Sequence, residues 1–90
     1  MSSLPAEFEP VALSVRFEPD SFVVSLADGR QLSVPYAWFP SLLNARPEQR
    51  ADYRLIGDGI GIHWPQIDED LSVTGLLRGT HKMQHKPAGD

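Results

Sequence analysis

Two Asp-Gly dipeptides, each placed between short apolar stretches, constrain the fold of this chain more than any other feature. The first is Asp28-Gly29 and the second is Asp58-Gly59. Asp-Gly is the strongest short-range hairpin signal because both central residues of a type I′ turn need a positive φ. The sequence therefore predicts that neighbouring strands turn back on each other at both places and pair antiparallel.

The stretches around these turns alternate between apolar and polar residues, which is the pattern of a half-buried strand. The predicted strands are residues 11–17, 22–26, 31–34, 53–56 and 60–64. The first three read as an antiparallel meander. In the first strand one face carries an apolar stripe that we expect to face the core, made of Val11, Leu13, Val15 and Phe17.

Helical spacing of apolar residues follows the third strand, around Pro40, and a second helical turn can start at Pro47. Proline is tolerated at the first position of a helix because its missing N–H has no partner there anyway. A last short helix is predicted from Leu71 to about Arg78, with Asp68 or Asp70 as its N-cap. The order βββ-α-ββ-α predicts an α+β domain, an antiparallel sheet with short helices packed on one face.

Ninety residues provide room for one domain. We expect a flexible N-terminus over residues 1–9, a single α+β domain over residues 10–79, and a disordered C-terminal tail over residues 80–90. The chain has no cysteine, which excludes disulfides and cysteine ligands. It has no apolar run of the roughly 20 residues that a membrane span needs, and no signal-peptide pattern, so a cytoplasmic location is expected.

The formal net charge of −4 bears on the class of partner. This charge argues against direct nucleic-acid binding, because neutralisation of phosphates supplies most of the affinity of such proteins. An acidic protein instead complements a basic protein partner.

The acidic turn Asp68-Glu69-Asp70 lies close in sequence to His63 and is the most site-like cluster. Carboxylates and an imidazole are ligands for divalent cations and also serve as general acids and bases. The competing interpretation is that these acids only cap the last helix and are solvated. No cofactor and no catalytic residue is assigned from the pattern.

The glycines of the second hairpin superficially resemble a phosphate loop, Gly57-Asp58-Gly59-Ile60-Gly61. A dinucleotide fingerprint needs a helix after its glycines, whereas a strand and a proline follow here. We therefore interpret them as turn residues, with Gly61 in a strand that another backbone or ring approaches closely.

Large rings beside prolines form the second candidate set. They are either core anchors or an exposed binding surface. We expect Trp64 to belong to the core. The candidates for contact with a protein partner are Tyr36, Trp38, Phe39 and Arg50.

Longer runs of the sequence resemble a bacterial family of unknown function, the domain-of-unknown-function family numbered 2442. The resemblance covers roughly residues 10–79. It is carried by Asp28-Gly29-Arg30, Val34-Pro35, Trp38-Phe39-Pro40-Ser41-Leu42, Ala45, Pro47-Glu48-Gln49-Arg50, Gly57-Asp58-Gly59-Ile60-Gly61-Ile62-His63-Trp64-Pro65, Asp68-Glu69-Asp70, Leu71-Ser72-Val73 and Gly75-Leu76-Leu77.

The resemblance implies a small α+β fold, sometimes fused to a helix-turn-helix domain, and frequent pairing with a second small protein in a toxin–antitoxin-like module. It carries over no activity and no catalytic residue. No helix-turn-helix pattern is seen in this chain, which leaves DNA contact to a partner or an oligomer, including a homo-oligomer. The leading hypothesis is an antitoxin-like protein-interaction module that masks a basic partner. The alternative is a small metal-dependent or acid–base enzyme that uses His63 and the acidic turn.

Overall fold

A computed structural model describes residues 10–79 of the protein, which form six strands and several short helical segments. The strands are β1 (Ala12–Phe17), β2 (Ser21–Leu26), β3 (Gln31–Pro35), β4 (Arg54–Ile56), β5 (Gly61–Trp64) and β6 (Glu69–Ser72). The α-helices are α1 (Pro40–Leu43), α2 (Pro47–Ala51) and α3 (Val73–Arg78), and single 3₁₀ turns cover Tyr36–Trp38 and Gly57–Gly59. The predicted α+β class is confirmed.

The first three strands form an antiparallel sheet in the order β1-β2-β3, which we call the N-terminal sheet. The predicted hairpin at Asp28-Gly29 is confirmed. The Leu26 N–H donates to the Arg30 carbonyl over 2.8 Å, and Gly29 has a φ of 97°. A positive φ of this size favours glycine, because a side chain would be strained there.

Strand β1 contains a bulge that overturns its predicted apolar stripe. The pairing register with β2 shifts between Ala12 and Ser14, so one extra residue is accommodated and the side chains change faces. Ala12 and Val15 are buried, whereas Leu13 is 62% exposed. The predicted stripe was therefore wrong at Leu13, because strict alternation does not continue through a bulge, whereas Val15 is buried and Phe17 packs against the core as expected.

Helices α1 and α2 begin at the two predicted prolines, Pro40 and Pro47. The start of α2 is also fixed by a side chain: the Gln49 Oε1 accepts from the Arg46 backbone N–H over 2.9 Å. These segments connect the two sheets, and Leu42 of α1 is completely buried in the core.

The remaining strands form a second antiparallel sheet in the order β4-β5-β6, the C-terminal sheet. Strand β6 occupies residues predicted to cap and start the last helix, so that prediction was wrong. Helix α3 begins at Val73, and its N-cap is Ser72, whose Oγ accepts from the Gly75 N–H over 2.9 Å. Pairing with β5 and burial of Leu71 favour the strand over the local capping pattern. The predicted end of the helix is confirmed, since Gly79 forms a left-handed C-cap.

One core joins the two sheets. Phe22 of β2 meets Trp64 of β5 edge to face, with ring centroids 5.8 Å apart, and both side chains are completely buried. The expected core role of Trp64 is confirmed. The free side of β1 lies toward β4, where the Val15 N–H donates to the Tyr53 hydroxyl over 3.1 Å.

A close backbone approach occurs at the second Asp-Gly turn. A Cβ on Gly59 would lie 2.4 Å from the Ala12 carbonyl oxygen, and the φ of Gly59 is 104°. At Gly61, where we expected the close approach, the nearest atom would be 3.4 Å away, an ordinary contact. Glycine is therefore needed at position 59 to let β1 pack against the turn.

Within residues 10–79, no helix is long and apolar enough to cross a membrane. The predicted terminal segments, residues 1–9 and 80–90, lie outside the described residues.

Candidate functional site

His63 occupies the middle of the C-terminal sheet. It lies directly opposite Arg54 on β4 and Asp70 on β6. Directly opposed residues of antiparallel strands share a face of the sheet. The row Arg54–His63–Asp70 therefore runs across the face that points away from the core, which we call the outer face.

The outer face brings His63 together with one predicted acid, Asp70. The His63 Nδ1 and the Asp70 Oδ1 are 2.5 Å apart. A carboxylate only accepts, so Nδ1 carries the proton and donates. In the neutral form of the imidazole, Nε2 is then the acceptor. The side chains are 30% and 70% exposed, so this contact lies at the protein surface.

The other two acids of the predicted cluster point elsewhere. Glu69 is next to Asp70 in a strand, so its side chain lies on the opposite face, where its Oε1 accepts a hydrogen bond from the Ser41 hydroxyl. Asp68 is exposed in the turn before β6, with a φ of 55°. Across residues 10–79 no three acidic or histidine side chains converge as a metal site would require. Of the three acids, only Asp70 therefore contacts His63, and the interpretation in which all three act together with the histidine does not match their positions.

Two of the four predicted partner-contact residues are part of the core. Tyr36 is 1% exposed and Phe39 is 3% exposed, so neither offers a surface to a partner. The Tyr36 hydroxyl donates to the Glu18 carbonyl over 2.7 Å, and burial raises the pKa of Tyr36. Their apolar rings pack with Phe22, which explains why they are buried.

Arg50 and Trp38 are partly buried. The Arg50 guanidinium lies 4.0 Å from the centre of the Tyr36 ring and donates to the carbonyls of Leu42 and Leu43. These contacts close the end of α1 and hold the guanidinium in the structure. Trp38 packs against the edge of the core. Both residues therefore contribute to the fold, and only part of each side chain is accessible to a protein partner.

Charge is distributed unevenly between the two halves of the protein. The N-terminal half, residues 10–51, carries four acidic residues and four arginines, for a formal charge of 0. Three of these arginines pair with an acid two positions away, and Arg50 is held as described. The C-terminal half, residues 52–79, carries five acidic residues and two arginines, for a formal charge of −3. None of its five acids has a lysine or arginine partner among the described residues.

The C-terminal half also exposes apolar side chains that the sequence analysis did not single out. Ile56 is 47% exposed and Ile60 is 44% exposed, on either side of the Gly57–Gly59 turn. The alternation of apolar residues predicts that both isoleucines are buried. The sequence signal for their exposure is the neighbouring glycines, since a glycine has no side chain to cover a neighbour.

A protein-family model matches residues 12–82, and its description reads "Protein of unknown function (DUF2442)". Two solved structures have a similar fold. A protein of unknown function from Rhodospirillum rubrum is 31% identical with a TM-score of 0.71, and the alignment covers 80% of this chain and 89% of that one. An uncharacterized protein from Chromobacterium violaceum is 26% identical with a TM-score of 0.69, and the alignment covers 88% of this chain and 79% of that one. No curated protein matches the chain.

Proposed function

The chain belongs to the family described as Protein of unknown function (DUF2442), and from its charge distribution we propose that it is a protein-interaction module that binds and masks a basic protein partner. The proposal rests on one observation: the whole acidic excess of the described residues lies in the C-terminal half. A surface of one sign attracts a partner of the opposite sign and speeds its association.

Two acids of this half are free to contact a partner. Asp58 and Asp68 are exposed and make no ion pair. In the N-terminal half, by contrast, Asp28 and Glu48 already pair with Arg30 and Arg46. Binding a basic partner through Asp58 and Asp68 therefore needs no internal ion pair to be broken.

In this proposal the protein is the antitoxin-like member of a bacterial two-protein pair that acts in the cytoplasm, and its partner is a small, basic, toxin-like protein. The acidic half covers the basic surface of that partner. The same charge repels nucleic-acid phosphates and anionic lipid, so neither is the proposed target.

Co-expression with the small protein encoded beside it tests this function. We expect the two proteins to co-purify as a complex, and we expect the neighbour alone to slow growth and the pair to restore it. If there is neither a complex nor a rescue of growth, the proposal fails.

A pair of charge variants tests which half binds. Asp58→Asn with Asp68→Asn removes two charges from the C-terminal half, and asparagine tolerates the left-handed backbone at both positions. We expect affinity for the neighbour to fall about tenfold, or roughly 1.4 kcal/mol. The control, Asp20→Asn with Asp28→Asn, removes two charges from the N-terminal half and leaves affinity nearly unchanged. Equal losses in both variants would show that only net charge matters.

The contact between His63 and Asp70 favours a second candidate function, acid–base catalysis. A carboxylate that accepts from Nδ1 orients an imidazole and leaves Nε2 able to take a proton. The test is hydrolysis of a panel of nitrophenyl esters and phosphates by the protein and by His63→Gln. This candidate requires activity that the substitution abolishes; activity equal in both proteins eliminates it.

A further inference from the structure

We propose that a second copy of this chain pairs with the outer edge of β3, so that two N-terminal sheets join into one continuous antiparallel sheet. The contact consists of backbone hydrogen bonds with Leu32 at its centre. This surface is separate from the acids to which the proposed function assigns a basic partner, so the inference goes beyond that function.

Two sheet edges have no neighbouring strand among the described residues. Strand β3 pairs only with β2, and β6 pairs only with β5. The edges of β1 and β4 instead lie toward each other, and the Val15 N–H of β1 donates to the Tyr53 hydroxyl. An unpaired edge presents N–H and C=O groups to which another chain can add a strand. Strands β3 and β6 are therefore the two places where a strand can be added.

Hydrogen bonds at both ends of β3 determine which of its backbone groups point outward. Before β3, the Leu26 N–H donates to the Arg30 carbonyl over 2.8 Å, and after it the Tyr36 N–H donates to the Asp20 carbonyl over 3.1 Å. Bonded and non-bonded positions alternate along an antiparallel pair. Both bonds give the same alternation, in which every second residue of β3 directs its backbone groups away from β2. The outward residues are Gln31, Ser33 and Pro35.

Charge distinguishes the edge of β3 from the edge of β6. Strand β6 carries Glu69 and Asp70 and belongs to a half with a formal charge of −3. Charged side chains on an edge strand oppose pairing with an identical strand. Strand β3 has no charged residue and belongs to a half with a formal charge of 0. A second copy therefore meets repulsion at β6 and none at β3.

An antiparallel pairing centred on Leu32 satisfies both outward N–H groups of β3. In this register Gln31 lies opposite Ser33 of the second copy, and the two residues exchange N–H···O=C bonds. The twofold axis repeats the same exchange on the other side of Leu32. Pro35 has no N–H to donate and lies beyond the bonded residues, where a proline is tolerated.

Leu32 adds an apolar contact to this pairing. It is partly buried and packs against the core, so part of its side chain remains exposed at the edge. Opposite residues at a non-hydrogen-bonded position have Cα atoms about 4.5 Å apart, so the two copies of Leu32 touch. The contact is small, and we expect a dissociation constant on the order of 100 μM.

Analytical ultracentrifugation from about 5 μM to about 1 mM tests for the dimer, which mass action favours at the high end. Ser33→Pro removes an outward N–H and places a ring against the second copy, so we expect at least about tenfold weaker association. An edge position tolerates proline, and thermal melting checks that this variant is folded. Ser33→Ala is the control, because it keeps the N–H and is expected to dimerise like the unchanged protein. A monomer at every concentration, or equal association of Ser33→Pro, would overturn the inference.

Cysteine cross-linking tests the register independently of the proline variant, because the chain has no cysteine of its own. In the proposed register the Cα atoms of Gln31 and Ser33 of the second copy are about 5.5 Å apart, which a disulfide can bridge. We expect an oxidised mixture of Gln31→Cys and Ser33→Cys to cross-link faster than either variant alone. Leu43→Cys is the control, since Leu43 is 49% exposed but lies on α1. Cross-linking of the control at the rate of the mixture would contradict a specific pairing.

Hydrogen exchange distinguishes a second copy from other occupants of the edge. We expect the amides of Gln31 and Ser33 to be protected only at concentrations where the dimer forms. Protection at every concentration would make another segment of the same chain the occupant and overturn the inference. A dimer in which these amides exchange freely would place the contact elsewhere, with the same consequence.

Discussion

The two sheets of the protein differ in how they use burial and charge. In the N-terminal sheet the central strand β2 is covered on both faces, so that Phe22, Val23 and Val24 are all buried. In the C-terminal sheet β4 is exposed at all three of its residues, and only one face of the sheet reaches the core. In the N-terminal half three arginines pair with nearby acids, whereas among the described residues of the C-terminal half no acid pairs with an arginine and Asp70 contacts His63.

This difference assigns separate tasks to the two sheets. A strand buried on both faces removes the most apolar area from water and contributes the most stability. The C-terminal sheet shares that stability through Trp64, whose ring packs on Phe22 and whose Nε1–H donates to the Arg50 carbonyl over 2.8 Å. Its outer face adds little to the shared core, which leaves it open to the proposed partner contact.

The largest effect is expected from Phe22→Ala, which removes the ring that joins the sheets. A completely buried phenylalanine replaced by alanine costs about 3–5 kcal/mol, a large share of the 5–15 kcal/mol of a typical domain. Urea denaturation followed by Trp fluorescence and by circular dichroism measures the loss. Because both sheets share one core, we expect the two signals to fall together.

The control for that substitution is Ser33→Ala, at an exposed position of β3 in the same sheet. It is expected to change the free energy of unfolding by less than about 0.5 kcal/mol. Two separate unfolding transitions in either protein would contradict a shared core and would make the sheets independent units.

The two Asp-Gly turns provide a matched pair of alanine substitutions, one in each half. Gly59→Ala is expected to cost about 3 kcal/mol, because a positive φ is combined with a Cβ only 2.4 Å from the Ala12 oxygen. Gly29→Ala has a similar φ and open space around it, so the expected cost is about 1 kcal/mol. Thermal melting of both variants measures the difference. Equal costs would mean that β1 does not pack on the second turn as described.

A smaller effect distinguishes Ser72 from the acids as the cap of α3. Ser72→Ala removes the Oγ that accepts from the Gly75 N–H and should cost about 1 kcal/mol. Asp70→Asn removes only an exposed charge paired with His63, and we expect a loss well under 1 kcal/mol. Chemical denaturation at pH 7 compares them. A larger loss for Asp70→Asn would restore the acids as caps.

Local signals predicted the parts of the fold that depend on single residues. Gly29 was predicted to have a positive φ in a hairpin turn, and Pro40 and Pro47 were predicted to start helices. All three predictions are confirmed. The bulge beside Leu13 was not predictable, because an inserted residue leaves the apolar pattern of β1 intact. Strand β6 was not predictable either, because its pairing with β5 is not local whereas the capping signal of Asp70 is.

The candidate site was predicted only in part, for the same physical reason. Nearness in sequence suggested that His63 and three acids form one cluster. Because side chains alternate between the faces of β6, Asp70 contacts the histidine whereas Glu69 contacts Ser41. The register that decides this is set by the whole sheet. Exposure of Ile56 was not foreseen, since an apolar residue in a strand is ordinarily buried.

The smallest expected effect is the contribution of a single acid to the stability of the fold, which we compare between the two halves. The Arg30 backbone N–H, supported by the Arg30 guanidinium, holds the pKa of Asp28 below its usual value. A carboxyl with a lowered folded-state pKa contributes stability above its unfolded pKa, near 4, and loses that contribution as pH falls through the lower folded value. Asp28→Asn should therefore reduce stability slightly at pH 7, and the difference should disappear as pH falls through the lowered folded-state pKa.

Asp58→Asn is the matched variant in the C-terminal half, because Asp58 also precedes a glycine but has no ion-pair partner. Its removal relieves repulsion within a half that carries −3, so we expect unchanged or slightly higher stability at pH 7. Melting temperatures of both variants from pH 2.5 to pH 7 measure the contrast, and 1 M salt should shrink it. Equal losses in the two variants would show that the acids of the C-terminal sheet also serve the fold, which would remove the reason to regard them as free for a partner.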